Sequence, residues 1–130
     1  MPLNVGVSDV IEILGVRDAG INDRERIILR CRSSVDIGKY LILQGTDLGE
    51  SGISPRTGHV FWLPDEQVGA GEYVRIYTKA GSNNRTTGTY EKSPAVFHNF
   101  YWSKSSAIWA QDKISIILIS VADWAHFRVS

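Results

Sequence analysis

Any chemistry in this 130-residue chain has to start from a short roster of reactive side chains, namely His59, His98, His126 and Cys31. The histidines stand far apart, with no pair at metal-ligand spacing and no neighbouring cysteine or carboxylate triplet, so they read as surface or sheet-edge residues rather than ligands. A single cysteine excludes an internal disulfide and a cysteine-based zinc site. Cys31, at the end of an apolar run, reads as a small core residue, because nothing beside it in sequence would depress its pKa and free the thiolate. Serines are plentiful, yet there is no Gly-x-Ser-x-Gly elbow, no glycine loop with lysine to cradle phosphates, and no carboxylate pair spaced for acid and base roles. The residues therefore assign no catalytic group, metal or cofactor. A small hydrolase would need the fold to converge titratable groups such as His59, His98 or Asp36. Asn84-Arg85-Thr86 has the form of a glycosylation acceptor and reads as a loop that happens to match.

A second kind of chemistry is carried by one segment. Between Arg75 and Lys104 the cations Arg75, Lys79, Arg85, Lys92 and Lys104 face one acid, Glu91, five minus one giving +4, in a chain whose 14 basic and 14 acidic residues otherwise cancel. Tyr77, Tyr90, Phe97, His98, Phe100, Tyr101 and Trp102 are interleaved with them. Aromatics beside cations are what single-stranded nucleic acid or sugar binding uses for stacking. The alternative is a solvated loop whose Phe97, Phe100 and Trp102 alternate into the core.

These residues must be positioned by strands. Hydrophobic residues make up 43% and charged residues 22%, the range of ordinary folded domains, and the length suits one domain over residues 1–130. Zero net charge gives no global attraction to polyanions. Alternating or β-branched runs recur at roughly Asp9–Val16, Glu25–Cys31, Tyr40–Gln44, Val60–Leu63, Glu72–Tyr77, Phe97–Trp102, Ile114–Val121 and Trp124–Val129. In the second run Ile27 and Leu29 oppose Arg26, Ile28 and Arg30, so one of its faces must be wet. Helical periodicity is missing apart from a weak turn near Ser105–Ala110. Short strands without helical crossovers predict two packed antiparallel sheets or a barrel, with long loops at Gly45–Gly58 and Ala80–Val96. The apolar run Ile114–Ile119 is expected to be central and buried on both faces; as an edge it would invite strand addition by a second copy. No apolar run is long enough for a spanning helix and Met1-Pro2-Leu3-Asn4 begins no export signal, so a cytoplasmic location is the default.

The order of these fragments resembles the lamin tail domain. Glu25-Arg26-Ile27-Ile28-Leu29 fits its Glu-x-Ile/Val-x-Leu strand, and Val35-Asp36-Ile37-Gly38-Lys39-Tyr40 is similar to its Val-Asp-Leu-Ser-Gly-Trp crossing, with tyrosine for tryptophan. Val60-Phe61-Trp62-Leu63-Pro64 matches a Phe-x-Phe/Leu-Pro strand. Val68-Gly69-Ala70-Gly71-Glu72-Tyr73-Val74-Arg75-Ile76-Tyr77 follows a Leu-x-Pro-Gly-Glu-x-Val-x-Ile-Tyr element with Ala70 replacing proline. Ile108-Trp109 with Asp112, Ile114, Ile116 and Leu118 keeps the spacing of the family's closing strand, although Gln111 stands where glycine is usual.

The resemblance implies an all-β, immunoglobulin-like antiparallel sandwich of about seven to nine strands. Trp62 and Trp109 would then bury themselves between the sheets, Gly71 would take a turn that calls for positive φ, and Asp36 and Asp112 would cap local backbone donors. It also implies protein and chromatin partners. The resulting expectation is a non-catalytic binding or assembly module that contacts a protein partner or itself. Nucleic acid or carbohydrate binding through Arg75, Lys79, Arg85, Lys92, Tyr101, Trp102 and Lys104 is the alternative.

Overall fold

The structure, a computed structural model, describes residues 6–54 and 58–129. The opening Met1-Pro2-Leu3-Asn4 and positions 55–57 of the Gly45–Gly58 connection lie outside the described residues. After a one-turn helix α1 (Val7–Val10), the strands are β1 (Ile11–Arg17), β2 (Arg26–Cys31), β3 (Val35–Asp36), β4 (Tyr40–Asp47), β5 (Ile53–Ser54), β6 (Val60–Trp62), β7 (Gln67–Val68), β8 (Tyr73–Tyr77), β9 (Asn84–Tyr90), β10 (Ser93–Tyr101) and β11 (Ile114–Ser120).

Two sheets carry the fold. One is five-stranded in the order β1-β2-β8-β10-β9; the other runs β11-β4-β5, with β6 also paired to β4, and β3 with β7 forms a small third ladder. The all-β sandwich is as expected, with nine strands in its two main sheets among the described residues. Pairing is antiparallel except for β8 and β10, which run parallel, Phe97 opposite Tyr73 and Tyr101 opposite Tyr77.

Period-two alternation decides which side chains meet between the sheets. Ile27 and Leu29 of β2, Val74 and Ile76 of β8, and Phe100 of β10 point inward against Ile42 of β4, with Ile11, Cys31, Ile37, Leu63, Val68, Ile108 and Trp109 completing the buried core. Gly71 adopts φ +82°, the left-handed turn expected of it. Asp36 Oδ1 accepts from Gly38 N at 2.9 Å and from Glu66 N at 3.2 Å, and Asp112 Oδ1 from Lys113 N at 3.1 Å, so both act as local backbone acceptors.

One buried carboxylate ties the core to a loop. Glu25, fully enclosed, accepts from Gly20 N, Thr78 Oγ1, Ile108 N and Trp109 N, the last two at 2.9 and 3.0 Å. Burial opposes its charge, but these four donors prevail and its pKa falls below the ordinary 4.5.

Several expectations are corrected here. The segment Ala80–Val96 is mostly a long hairpin, β9 and β10, joined by Glu91 and Lys92, both at positive φ. Residues Trp124–Val129 form no strand. Ile114–Ser120 is an edge, since among the described residues β11 pairs with β4 alone. Trp109 is buried as expected, whereas Trp62 points outward and is 43% exposed. Its place on β6 puts Phe61, not Trp62, on the inward side, and its indole Nε1 donates to Gly38 O at 2.7 Å. His98 is buried rather than superficial.

Candidate binding surfaces

The five-stranded sheet turns one face to the core and gathers cations on the other. Arg26 and Arg30 of β2 and Arg75 of β8 alternate with the inward aliphatics, and in register they sit beside Tyr77, Tyr73 and Asn99. Three cations surround the Tyr77 ring: Arg75 at 5.8 Å, Arg26 at 6.0 Å and Lys79 at 5.3 Å from its centroid. Arg30 lies 5.9 Å from the Tyr73 centroid. Tyr101 stacks on Tyr77, centroids 5.3 Å apart and planes 13° from parallel. The bordering carboxylates are already engaged, Asp18 by Arg26 at 2.7 Å and Glu12 by Arg32.

Arg75 is the centre of this arrangement. Its guanidinium covers the Phe97 ring at 3.9 Å, its Nε donates to Asn99 Oδ1 at 2.7 Å and its Nη2 to Thr86 Oγ1 at 3.2 Å. Asn99 is itself fixed by donating to Asn84 Oδ1 and Thr86 Oγ1. Burial lowers the Arg75 pKa from its ordinary value, with Arg26 acting in the same direction and Tyr77 against it.

Of the residues singled out in sequence, the structure brings Arg75, Lys79 and Tyr101 together on this face. Trp102 is in the core against Phe61 and Trp109, so it is removed from the surface set. Arg85 faces the other way on β9, 3.6 Å from Glu72. Lys92 sits at the hairpin tip, and the Lys104 backbone is held by Thr78 O and Asn22 Nδ2. Phe97, expected to point inward, lies on the outer face beneath Arg75, while Phe100 and Trp102 do point inward. Arg17, Arg26, Arg30, Tyr73 and Tyr77 complete the face; the wet side of the second strand is the signal that marks Arg26 and Arg30. Asn84, read as part of a loop, is on β9 with its amide engaged by Asn99.

On the inner side, His98 bridges two carboxylates. Its Nε2 is 2.8 Å from Glu72 Oε1, and its Nδ1 contacts Glu66 Oε2. Hydrogen bonding from His98, then from Gly69 N, holds the Glu72 pKa below its ordinary value. Both ring nitrogens are thus engaged by carboxylates. Cys31 is buried and its thiol is pushed up to about 11 by burial and by Glu72, the reverse of an activated thiol. Among the described residues no group of three or more His, Cys, Asp or Glu side chains is placed to hold a metal ion, and no helix is long and apolar enough to cross a membrane.

The second sheet shows the opposite character. Its outward side carries Leu41 and Leu43 of β4, Val60 and Trp62 of β6, and Ile117 and Ile119 of β11, with the register setting Leu41 between Trp62 and Ile119 and Leu43 between Val60 and Ile117. Val60, Trp62 and Ile119 are 49%, 43% and 38% exposed. Trp124 extends the patch, meeting Trp62 edge-on with centroids 5.0 Å apart. Gly45, towards the end of β4, makes room for the side chains of Ile117 and Ile53, because a Cβ there would come within 2.5 Å of Ile117 Cδ1.

In comparison with known proteins, no family model, no curated protein and no solved structure matches the chain.

Proposed function

We propose that this chain is a non-catalytic assembly module that joins a second copy of itself through the outward face of β4, β6 and β11. The observation that carries this reading is the uncharged face formed by Leu41, Leu43, Val60, Trp62, Ile117 and Ile119. Three strand widths at about 4.8 Å and three residues at about 3.4 Å give it a backbone footprint of roughly 150 Å², which Trp124 enlarges by packing edge-on against Trp62.

A second copy suits this face for two reasons. With no charge among these side chains, a two-fold contact sets no like charges opposite each other. Stacking of the outward faces at about 10 Å also buries the apolar residues, whereas strand addition at β11 would set them side by side and leave them wet. That edge is partly occupied already, with α1 against it and Val7, Ile11 and Ile13 sharing a cleft of about 460 Å³ with Leu118. The motif order shared with lamin tail domains, whose partners include proteins, supports the same reading.

Val60→Lys with Ile119→Lys places charge on two exposed positions that the monomer does not need. Sedimentation velocity is expected to show a wild-type dimer and a folded, monomeric double variant. A wild type that stays monomeric at every concentration up to its solubility limit overturns the proposal.

A further inference from the structure

From the opposite face of the sandwich we infer a second binding site, for single-stranded nucleic acid, formed by Arg26, Arg30, Arg75, Lys79, Tyr77 and Tyr101. It does not depend on the self-association proposed above, because the two surfaces are on different sheets.

Charge comes first. Arg26, Arg75 and Lys79 lie within 6.0 Å of one ring centroid, and Arg30 follows two residues beyond Ile28 on the same side of β2. Their carboxylate neighbours leave Arg30, Arg75 and Lys79 without an acidic partner among the described residues. Like charges gathered at this density repel one another, and the groups best able to relieve that repulsion are closely spaced phosphates.

Shape selects among phosphate polymers. The β9–β10 hairpin curls across the outer face, so that Tyr90 reaches Tyr73, centroids 4.7 Å apart, and its hydroxyl accepts from Arg17 of β1 at 3.1 Å. A face crossed from one sheet edge to the other by this link obstructs a rigid duplex more than it does a flexible single strand. The half-buried Tyr77–Tyr101 stack at one end offers a ring surface for a base, which a bare polyphosphate or a sulfated glycan would not use. Gly81 permits this stack, since a Cβ there would overlap the Tyr101 ring.

The test is fluorescence anisotropy of the whole chain with a labelled oligo-dT of about 15 nucleotides, a length of the order that one such binding face occupies, at low and at physiological salt. Wild type is expected to bind, with log K falling against log salt at a slope of about −2 to −3, as for three to four neutralised phosphates on a single strand. Arg30→Gln and Lys79→Gln, which remove exposed and half-exposed cations, should each weaken binding severalfold and flatten the slope, while Lys92→Gln at the hairpin tip leaves both unchanged. Gly81→Ala and Tyr101→Ala should weaken oligo-dT but not polyphosphate, with unchanged melting of Tyr101→Ala as the folding control. No binding at low salt overturns the inference. So does equal affinity for a duplex of the same length, or for polyphosphate with no loss in Tyr101→Ala.

Discussion

Arg17 Nη2 donates to Tyr90 Oη at 3.1 Å although β1 and β9 lie at opposite edges of a five-stranded sheet. A flat sheet would hold them about 19 Å apart across four strand spacings alone, so the contact records strong coiling of the β9–β10 hairpin over the outer face. Tyr73, between Tyr90 and Phe97, is the ring on which the hairpin rests.

This link is exposed, and Tyr90→Phe should therefore cost at most about 1 kcal/mol of stability. Its effect belongs to local opening. Amide hydrogen exchange in 86–90 is expected to quicken while exchange in β2 and β8 stays unchanged; unchanged exchange in the hairpin would show that ring packing alone holds it.

The hairpin turn itself carries a removable strain. Glu91 and Lys92 hold φ of +49° and +69°, values that two-residue turns of this kind usually assign to Asn and Gly. Lys92→Gly should raise stability by roughly 0.5 to 1 kcal/mol, read as a higher denaturation midpoint with an unchanged slope.

Glu25 supplies a polar tie with four donors. Glu25→Ala would strand the buried amides of Ile108 and Trp109 and should cost roughly 3 kcal/mol or more, at 1 to 3 for each donor left unsatisfied. Thermal or urea unfolding of this variant checks it, and a loss under 1 kcal/mol would mean that solvent reaches those amides.

The same carboxylate sets a pH dependence, together with Glu72. Both have folded pKa values below the ordinary 4.5, so the unfolded chain takes up protons first. Their stabilisation is fully present above about pH 5 and is lost as pH falls through 4.5 to the folded values. Melting temperature should drop across that window, and Glu72→Gln should shrink the drop by removing one of the two groups. A variant with the full wild-type acid slope would contradict the assignment.

Two tryptophans that look alike in sequence should behave differently. Trp109→Ala removes a core ring and should cost about 3 to 5 kcal/mol. Trp62→Ser removes an outward ring with its hydrogen bond to Gly38 O and its contact with Trp124 and should cost less, about 1 to 2 kcal/mol, as urea titration of both at low concentration would show.

The sandwich was legible because Ile27, Leu29, Val74 and Ile76 alternate cleanly with polar neighbours. The strand β9 was not, since Asn84–Tyr90 is polar on both sides, as an exposed edge can be, and Glu91-Lys92 lacks the usual turn residues. Apolar residues on both sides of β4 and β11 suggest a central, doubly buried position; Val60, Trp62 and Ile119 of the outward set are instead exposed, a distinction that composition does not encode. Arg75, Lys79 and Tyr101 could be read from one segment, but Arg26 and Arg30 join them only through the β2–β8 register. The role of Glu25 depends on amides 83 and 84 residues away.

Copies of the chain are proposed to meet through the outward face of β4, β6 and β11. A dilution series followed by backbone and methyl NMR tests it most directly, because it locates the contact as well as detecting it. Concentration-dependent shifts are expected at Leu41, Leu43, Val60, Trp62, Ile117 and Ile119, with Arg75, Tyr77 and Tyr101 unmoved. Spectra that do not change with concentration, or shifts confined to the cationic face, would contradict it.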